Sequence, residues 1–177
     1  MNNTFRNAMA FGLLPVVVIL DQITKYIVLA EPQFRALECL DRTVRCGKIE
    51  LSSIFDLTMV WNRGMSFGTL QSEGLMRWVL VVLTVSIAIG FGVWLFRAGR
   101  KLTITALAMI VAGAAGNVID RIRFGAVVDF FDFSGLYFPY VFNVADASIS
   151  VGAALLFLDQ FLLSRETPKP VKTEDET

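Results

Sequence analysis

Four stretches of this chain are each long and apolar enough to cross a lipid bilayer, and that fixes what it can become. A spanning helix needs about 20 mostly apolar residues, and residues 8–29, 78–96, 102–119 and 142–163 supply four such runs. In lipid the backbone must satisfy its own hydrogen bonds, so runs of this kind are expected as helices. Composition agrees, with 55% of the 177 residues hydrophobic and only 18% charged, and a mean hydropathy of +0.60. That is too apolar for an ordinary soluble domain. The first run is too long for a signal-peptide core and contains Asp21 and Lys25, so we expect it to be retained as a span. The third is rich in small residues, from Ala112 to Gly116, and small residues let helices approach closely, so it is expected at the centre of the bundle.

The charges orient this bundle. The shortest link carries Arg97, Arg100 and Lys101 and is expected on the cytoplasmic side. With four spans, both termini are then cytoplasmic, and links 30–77 and 120–141 face outward. Link 30–77 holds six cations of its own, Arg35, Arg42, Arg45, Lys48, Arg63 and Arg77. They are mixed with acids in a long link, where the orientation rule is weak. The net charge is zero, so no basic surface points to nucleic acid. There is no histidine, which removes Ser-His-Asp and Cys-His catalysis and the commonest metal ligand.

In this orientation, polar residues from three spans meet at the outer face. Asp21 and Lys25 lie toward the outer end of the first span, and Asn117, Asp120 and Arg121 at the outer end of the third. Asn143 and Asp146 open the fourth, with Asp146 only ~6 Å of helix rise in from its start. Ionisable groups at membrane depth are costly and point to function. Asp159, near the inner end, is expected to snorkel.

The outer links have their own pattern. From Lys48 to Asn62, Ile49, Leu51, Phe55, Leu57, Met59 and Trp61 fall on one face and polar residues on the other. This predicts a strand or hairpin lying on the membrane surface with its apolar face toward lipid or substrate. Asn62-Arg63-Gly64 supplies a turn, and residues 65–68 a return. Segment 31–47 carries Cys39 and Cys46, which pair if it faces an oxidising compartment and otherwise stay as thiols. Link 124–141 is crowded with phenylalanine and tyrosine, fitting an interfacial belt or the walls of a cleft. The fold expected is an all-α integral membrane protein. It has four transmembrane helices and a small extracytoplasmic β-sheet, forms one domain over 1–164 and ends in a disordered cytoplasmic tail, 165–177.

Asp129 and Asp146 are the candidate reactive pair. Two carboxylates brought close cannot both ionise, so they share a proton and can activate water. The alternatives are ion pairing with Arg121, Arg123 or Lys25, or a proton path in a small proton-coupled transporter or channel subunit. Asn117, Asp120 and Arg121 share a helical face. They form either a capped, salt-bridged helix end or a support for the pair, with Arg121 orienting a substrate carbonyl or a carboxylate and Asn117 hydrogen-bonding nearby. Asp21 and Lys25, four apart, are expected as a structural ion pair within the helix. Asp132 is expected at the surface.

Taken together, these residues resemble lipoprotein signal peptidase (signal peptidase II), a bacterial inner-membrane aspartic protease. The matching motifs are Asp21-Gln22-x-x-Lys25, Asn62-x-Gly64, Gly113-x-x-Gly116-Asn117-x-x-Asp120-Arg121, Val127-Val128-Asp129-Phe130 and Phe142-Asn143-x-Ala145-Asp146. The resemblance implies an endopeptidase that removes the signal peptide from diacylglyceryl-modified prolipoproteins just before the lipidated cysteine. Asp129 and Asp146 would be the catalytic pair. Asn62, Gly64, Asn117, Asp120, Arg121, Asn143 and Ala145 would be supporting or substrate-binding positions. It implies no metal or organic cofactor, inhibition by the cyclic peptide globomycin, and work as a monomer among membrane lipid. Two features depart from the family pattern. Met65-Ser66 stands where small residues are usual, and segment 31–47 is longer.

Overall fold

The computed structural model describes residues 3–36, 45–64 and 73–166. Four of its helices are long and apolar enough to cross a membrane. They are α1 (Asn3–Ala30), α3 (Glu73–Arg97), α4 (Lys101–Phe124) and α5 (Val144–Glu166), and α2 (Pro32–Ala36) is a short turn of helix after the first. α1 begins several residues earlier than the apolar run suggests. It passes through a π turn, Met9–Leu13, just ahead of Pro15, which has no amide hydrogen to give to the preceding turn.

The core stretch of α4 is 61% buried, against 17%, 11% and 22% for those of α1, α3 and α5, so α4 is the central helix as its small residues predict. A Cβ at Gly113 would collide with the Ala145 carbonyl of α5, and one at Gly116 would lie 2.5 Å from Asp21 Oδ2. On α1 and α3 the exposed residues are large and apolar, among them Val16, Ile19, Ile23, Val82 and Ile89, as suits helices facing lipid. An apolar cleft of about 440 Å³ lies between α3 and α4, lined by residues such as Val85, Ile89 and Val118. α4 ends where Gly125, at φ +80°, donates its N–H to the Arg121 carbonyl, a left-handed cap that glycine adopts freely.

The sheet is larger than a hairpin. β1 (Arg45–Glu50) and β2 (Asp56–Asn62) are joined by β3 (Val127–Asp132) and β4 (Val141–Phe142) in the antiparallel order β1-β2-β3-β4. The aromatic link thus supplies two strands as well as exposed rings at Tyr137, Phe138 and Tyr140. The apolar face does not look toward lipid. Met59, Trp61, Val128 and Phe130 pack on Val28 and Phe34, from α1 and α2. The expected alternation also breaks. Leu57 pairs with Phe131 and Val60 with Asp129, so β2 carries one extra residue between them. Such a bulge shifts the alternation, and the consecutive Thr58 and Met59 are both buried.

Two aspartates depart from expectation. Asp132 is buried rather than at the surface, accepting hydrogen bonds from Thr58 Oγ1 at 2.5 Å and the Ser134 N–H at 2.8 Å. Asp159 does not snorkel. It is fully buried, with Arg100 Nε 2.9 Å away and the Thr103 hydroxyl donating to it, because the cationic link and the end of α5 lie at the same level. Cys46 is disulfide-bonded. Cys39, residues 37–44 of segment 31–47, the return at 65–68 with Met65-Ser66 and the tail from 167 lie outside the described residues.

Candidate active site

The antiparallel register puts Asp129 opposite Val60 and Val127 opposite Asn62, so Asn62 and Asp129 share a strand face. Asn62 Nδ2 donates to Asp129 Oδ2 at 3.0 Å. Asn62 Oδ1 accepts the Gly64 N–H at 3.0 Å, which fixes the side-chain amide with its nitrogen toward the acid. Gly64 sits at φ +92°, and a Cβ there would lie 2.6 Å from Leu80 Cδ1. Both facts favour glycine.

Asp146 stands in the first turn of α5, where the helix dipole favours negative charge. Asn143 caps that helix, its Oδ1 accepting the Asp146 N–H at 2.9 Å. The Nδ2 of the same side chain points to Asp129 Oδ1 at 2.7 Å, with the Val128 carbonyl at 3.2 Å and Asn117 Oδ1 at 3.3 Å. Asn117 Nδ2 in turn donates to Asp146 Oδ1 at 2.8 Å. Two amides therefore link the two carboxylates, and the hydrogen-bonded path runs Asp129, Asn143, Asn117, Asp146. Asp129 is 2% exposed. Burial, and next the nearby charge of Asp146, push its pKa up to about 7, against the opposing pull of Asn62, Asn143 and Lys25.

Beneath this path lies a buried ionic cluster. Lys25 Nζ is 2.8 Å from Asp21 Oδ2 and 2.7 Å from Asp120 Oδ2, and all three side chains are at most 2% exposed. The expected ion pair within α1 is thus present but extends to α4, and Asp120 turns to Lys25 rather than toward the acid pair. Gln22, to which the residue reading gave no role, donates to Asp120 Oδ1 at 3.0 Å and accepts from Arg123 at 3.2 Å. Its place one residue after Asp21 in a spanning run was the available signal. Arg121 lies beside the pair, within the field of Asp146, Asp129 and Asp120. One Nη reaches the Asn117 carbonyl at 3.5 Å, while its buried Nε has no hydrogen-bond partner among the described residues. Ala145 is fully buried, its N–H donating to Asp21 Oδ1 at 2.9 Å. Among the described residues no group of three or more Asp, Glu, Cys or His is placed to hold a metal ion.

Fold and site together define a class, a multi-pass membrane protein with a paired-carboxylate centre where its helices meet a small sheet. A family model described as Signal peptidase (SPase) II matches residues 13–162. The chain belongs to the signal peptidase II family and is a bacterial membrane protease. The lipoprotein signal peptidase of Caulobacter vibrioides is 43% identical over 166 residues, covering 93% of each chain. That of Rhizorhabdus wittichii is 38% identical over 170 residues, covering 94% of this chain and 93% of the relative. A solved bacterial membrane enzyme superposes with a TM-score of 0.70 at 27% identity, covering 92% of this chain and 94% of its own.

Proposed function

We propose that this protein cleaves the signal peptide from diacylglyceryl-modified prolipoproteins just before the lipidated cysteine, as an aspartic endopeptidase using Asp129 and Asp146. The observation that carries the reading is the amide-linked acid pair, one member of which has a pKa raised to about 7. Asp129 is the member of the pair that can hold a proton near neutral pH. Asp146, at a helix N-terminus, takes a proton from water as the water oxygen attacks the scissile carbonyl carbon. Asp129 gives its proton to the carbonyl oxygen, forming a neutral gem-diol. Collapse then breaks the C–N bond, one hydroxyl proton returns to Asp129, and the proton held by Asp146 passes to the departing amine. Arg121 lies close enough to stabilise charge on the carbonyl oxygen, and its unpartnered Nε leaves it a donor to spare.

In this reading the peptidase unit spans 1–164 and acts as a monomer. The sheet and the acid pair face the outside of the inner membrane, with both termini in the cytoplasm. Lipid-modified substrates enter sideways from the bilayer, and globomycin blocks the site. The test is cleavage of a purified diacylglyceryl-modified precursor by wild type, Asp129→Asn and Asp146→Asn. Either variant is expected to bind precursor yet lose all measurable turnover. Full cleavage by either would remove the dyad.

A further inference from the structure

The acid pair rests on a second, deeper set of charges, and the connections between the two sets are specific. Asp21 uses Oδ2 for Lys25 and Oδ1 for the Ala145 N–H at 2.9 Å. Asp120 accepts the Val128 N–H at 3.1 Å while holding Lys25 at 2.7 Å. Ala145 immediately precedes Asp146, and Val128 immediately precedes Asp129. The same ammonium lies 3.5 Å from Asn117 Oδ1, on the amide that donates to Asp146. The three protons of one lysine are thereby matched by three acceptors.

We infer that Lys25 is a positioning residue for the proposed reaction: through Asp21 and Asp120 it holds the backbone just ahead of each catalytic aspartate, and so fixes one carboxylate relative to the other. The inference rests on the peptidase reading above. A buried ion cluster is a poor device for stability alone, since well-packed apolar residues of the same volume do as well or better. It does suit the holding of two groups from unlike elements, a strand and a helix start, in one geometry. Gly116 fits this role, because a Cβ there would sit 2.5 Å from Asp21 Oδ2 and push that carboxylate out of the α1–α4 contact. Lys25 also acts on the pair through its charge. The charges acting on Asp129 are Asp146 from α5 and Lys25 from α1, and Arg121 of α4 lies within the field of Asp129. Those facing Lys25 are Asp21 on its own helix and Asp120.

The test uses full-length enzyme in liposomes and a diacylglyceryl-modified precursor, with kcat and KM measured across pH for wild type, Lys25→Met, Lys25→Arg, Asp120→Asn and Asp129→Asn. Lys25→Met is expected to lose kcat by about 100-fold, the scale of an ångström of misplacement, with KM little changed. The pH optimum of its remaining activity moves up by about one unit as a nearby cation is lost. Asp120→Asn moves the optimum the other way, because it leaves Lys25 less neutralised. Lys25→Arg restores the wild-type optimum. Full kcat in Lys25→Met overturns the inference, as does a fall in kcat and KM alike with an unmoved optimum in both charge variants. Where Lys25→Met fails to accumulate, Asp120→Asn decides alone, its shifted or unmoved optimum supporting or refuting the role. Activity retained in Asp129→Asn removes the aspartate-dyad reading on which the inference rests, whereas an inactive Asp129→Asn with unmoved Lys25 and Asp120 variants removes only the positioning role.

Discussion

Replacing Asp129 with asparagine should stabilise the protein at high pH and weaken it at low pH. Its carboxyl is carried from 3.8 to about 7 on folding, first by burial and then by Asp146. At about 1.4 kcal/mol for each tenfold change in proton affinity, that is about 4 kcal/mol. The shift is upward, so the folded chain binds this proton more tightly than the unfolded one. The corresponding stability is fully present below about pH 4 and gone once pH has risen through about 7. The asparagine variant has no such proton to lose. It does give up one hydrogen bond, because its amide nitrogen cannot accept from Asn62, at a cost of about 1 kcal/mol. At about pH 4 the variant should therefore be less stable by about 1 kcal/mol, and at about pH 9 more stable by about 3 kcal/mol. The buried Trp61, 2% exposed, reports unfolding in detergent by its fluorescence. The midpoint difference should change sign between the two pH values, with a gain of about 5–10 °C at the upper one. Melting curves that stay parallel from acid to alkaline pH would refute the argument, because Asp129 would then not be a buried, proton-holding acid.

Three further substitutions probe the frame around the pair. Asn143→Ala removes the donor to Asp129 and the link to Asn117; it should cost about 2–4 kcal/mol in thermal unfolding and abolish precursor cleavage. Gly116→Ala places a Cβ 2.5 Å from Asp21 Oδ2 and 3.2 Å from the Ala145 Cβ. Overpacking of about 1–3 kcal/mol is expected, whereas Gly90→Ala, with nothing within 4 Å, should melt like wild type. Thr58→Val removes the hydroxyl on Asp132 and should cost about 1–3 kcal/mol while leaving kcat within about twofold, because that contact lies at the far end of the sheet.

How much of this was legible in the sequence depended on the range of the interaction. The spans were, because hydropathy is a property of consecutive residues, and the central place of α4 followed from its small side chains. The convergence of Asp21, Lys25, Asn117, Asp120, Asn143 and Asp146 followed from counting residues along helices. What failed needed knowledge of partners. Strand β3 was hidden because it pairs with β2, some 65 residues earlier in the register of Asn62 with Val127, and β4 because it in turn pairs with β3; aromatic side chains suit an interface as well as a sheet. The bulge that shifts Leu57 leaves no mark in a run that alternates almost regularly. Asp132 and Asp159 read as surface charges because a lone acid is costly to bury; Thr58 and Thr103, which satisfy them, are ordinary residues far away in sequence. Gln22 was visible but silent for the same reason, since its value lies in reaching Asp120 on another helix.

The pair is asymmetric in a way that bears on its chemistry. Asp129 is fully buried and both its oxygens accept amide hydrogen bonds, from Asn143 and Asn62. Asp146 is half-buried, and only Oδ1 accepts one, from Asn117. Among the described residues, its Oδ2 is the one carboxylate oxygen of the four without a partner. In the proposed reaction a water about to attack needs an acceptor that is not already occupied, which Asp146 offers and Asp129 does not. The acid that must keep its proton until the carbonyl oxygen develops charge is better placed where burial favours the neutral form. The two roles thus follow from the two elements. A strand in the middle of a sheet holds Asp129 among fixed amides, whereas the open first turn of a helix leaves Asp146 one oxygen free and a dipole that favours its charge. The amide path through Asn143 and Asn117 ties these unlike acids together, and Lys25 beneath them holds Asp21 and Asp120, which accept the backbone N–H just ahead of each.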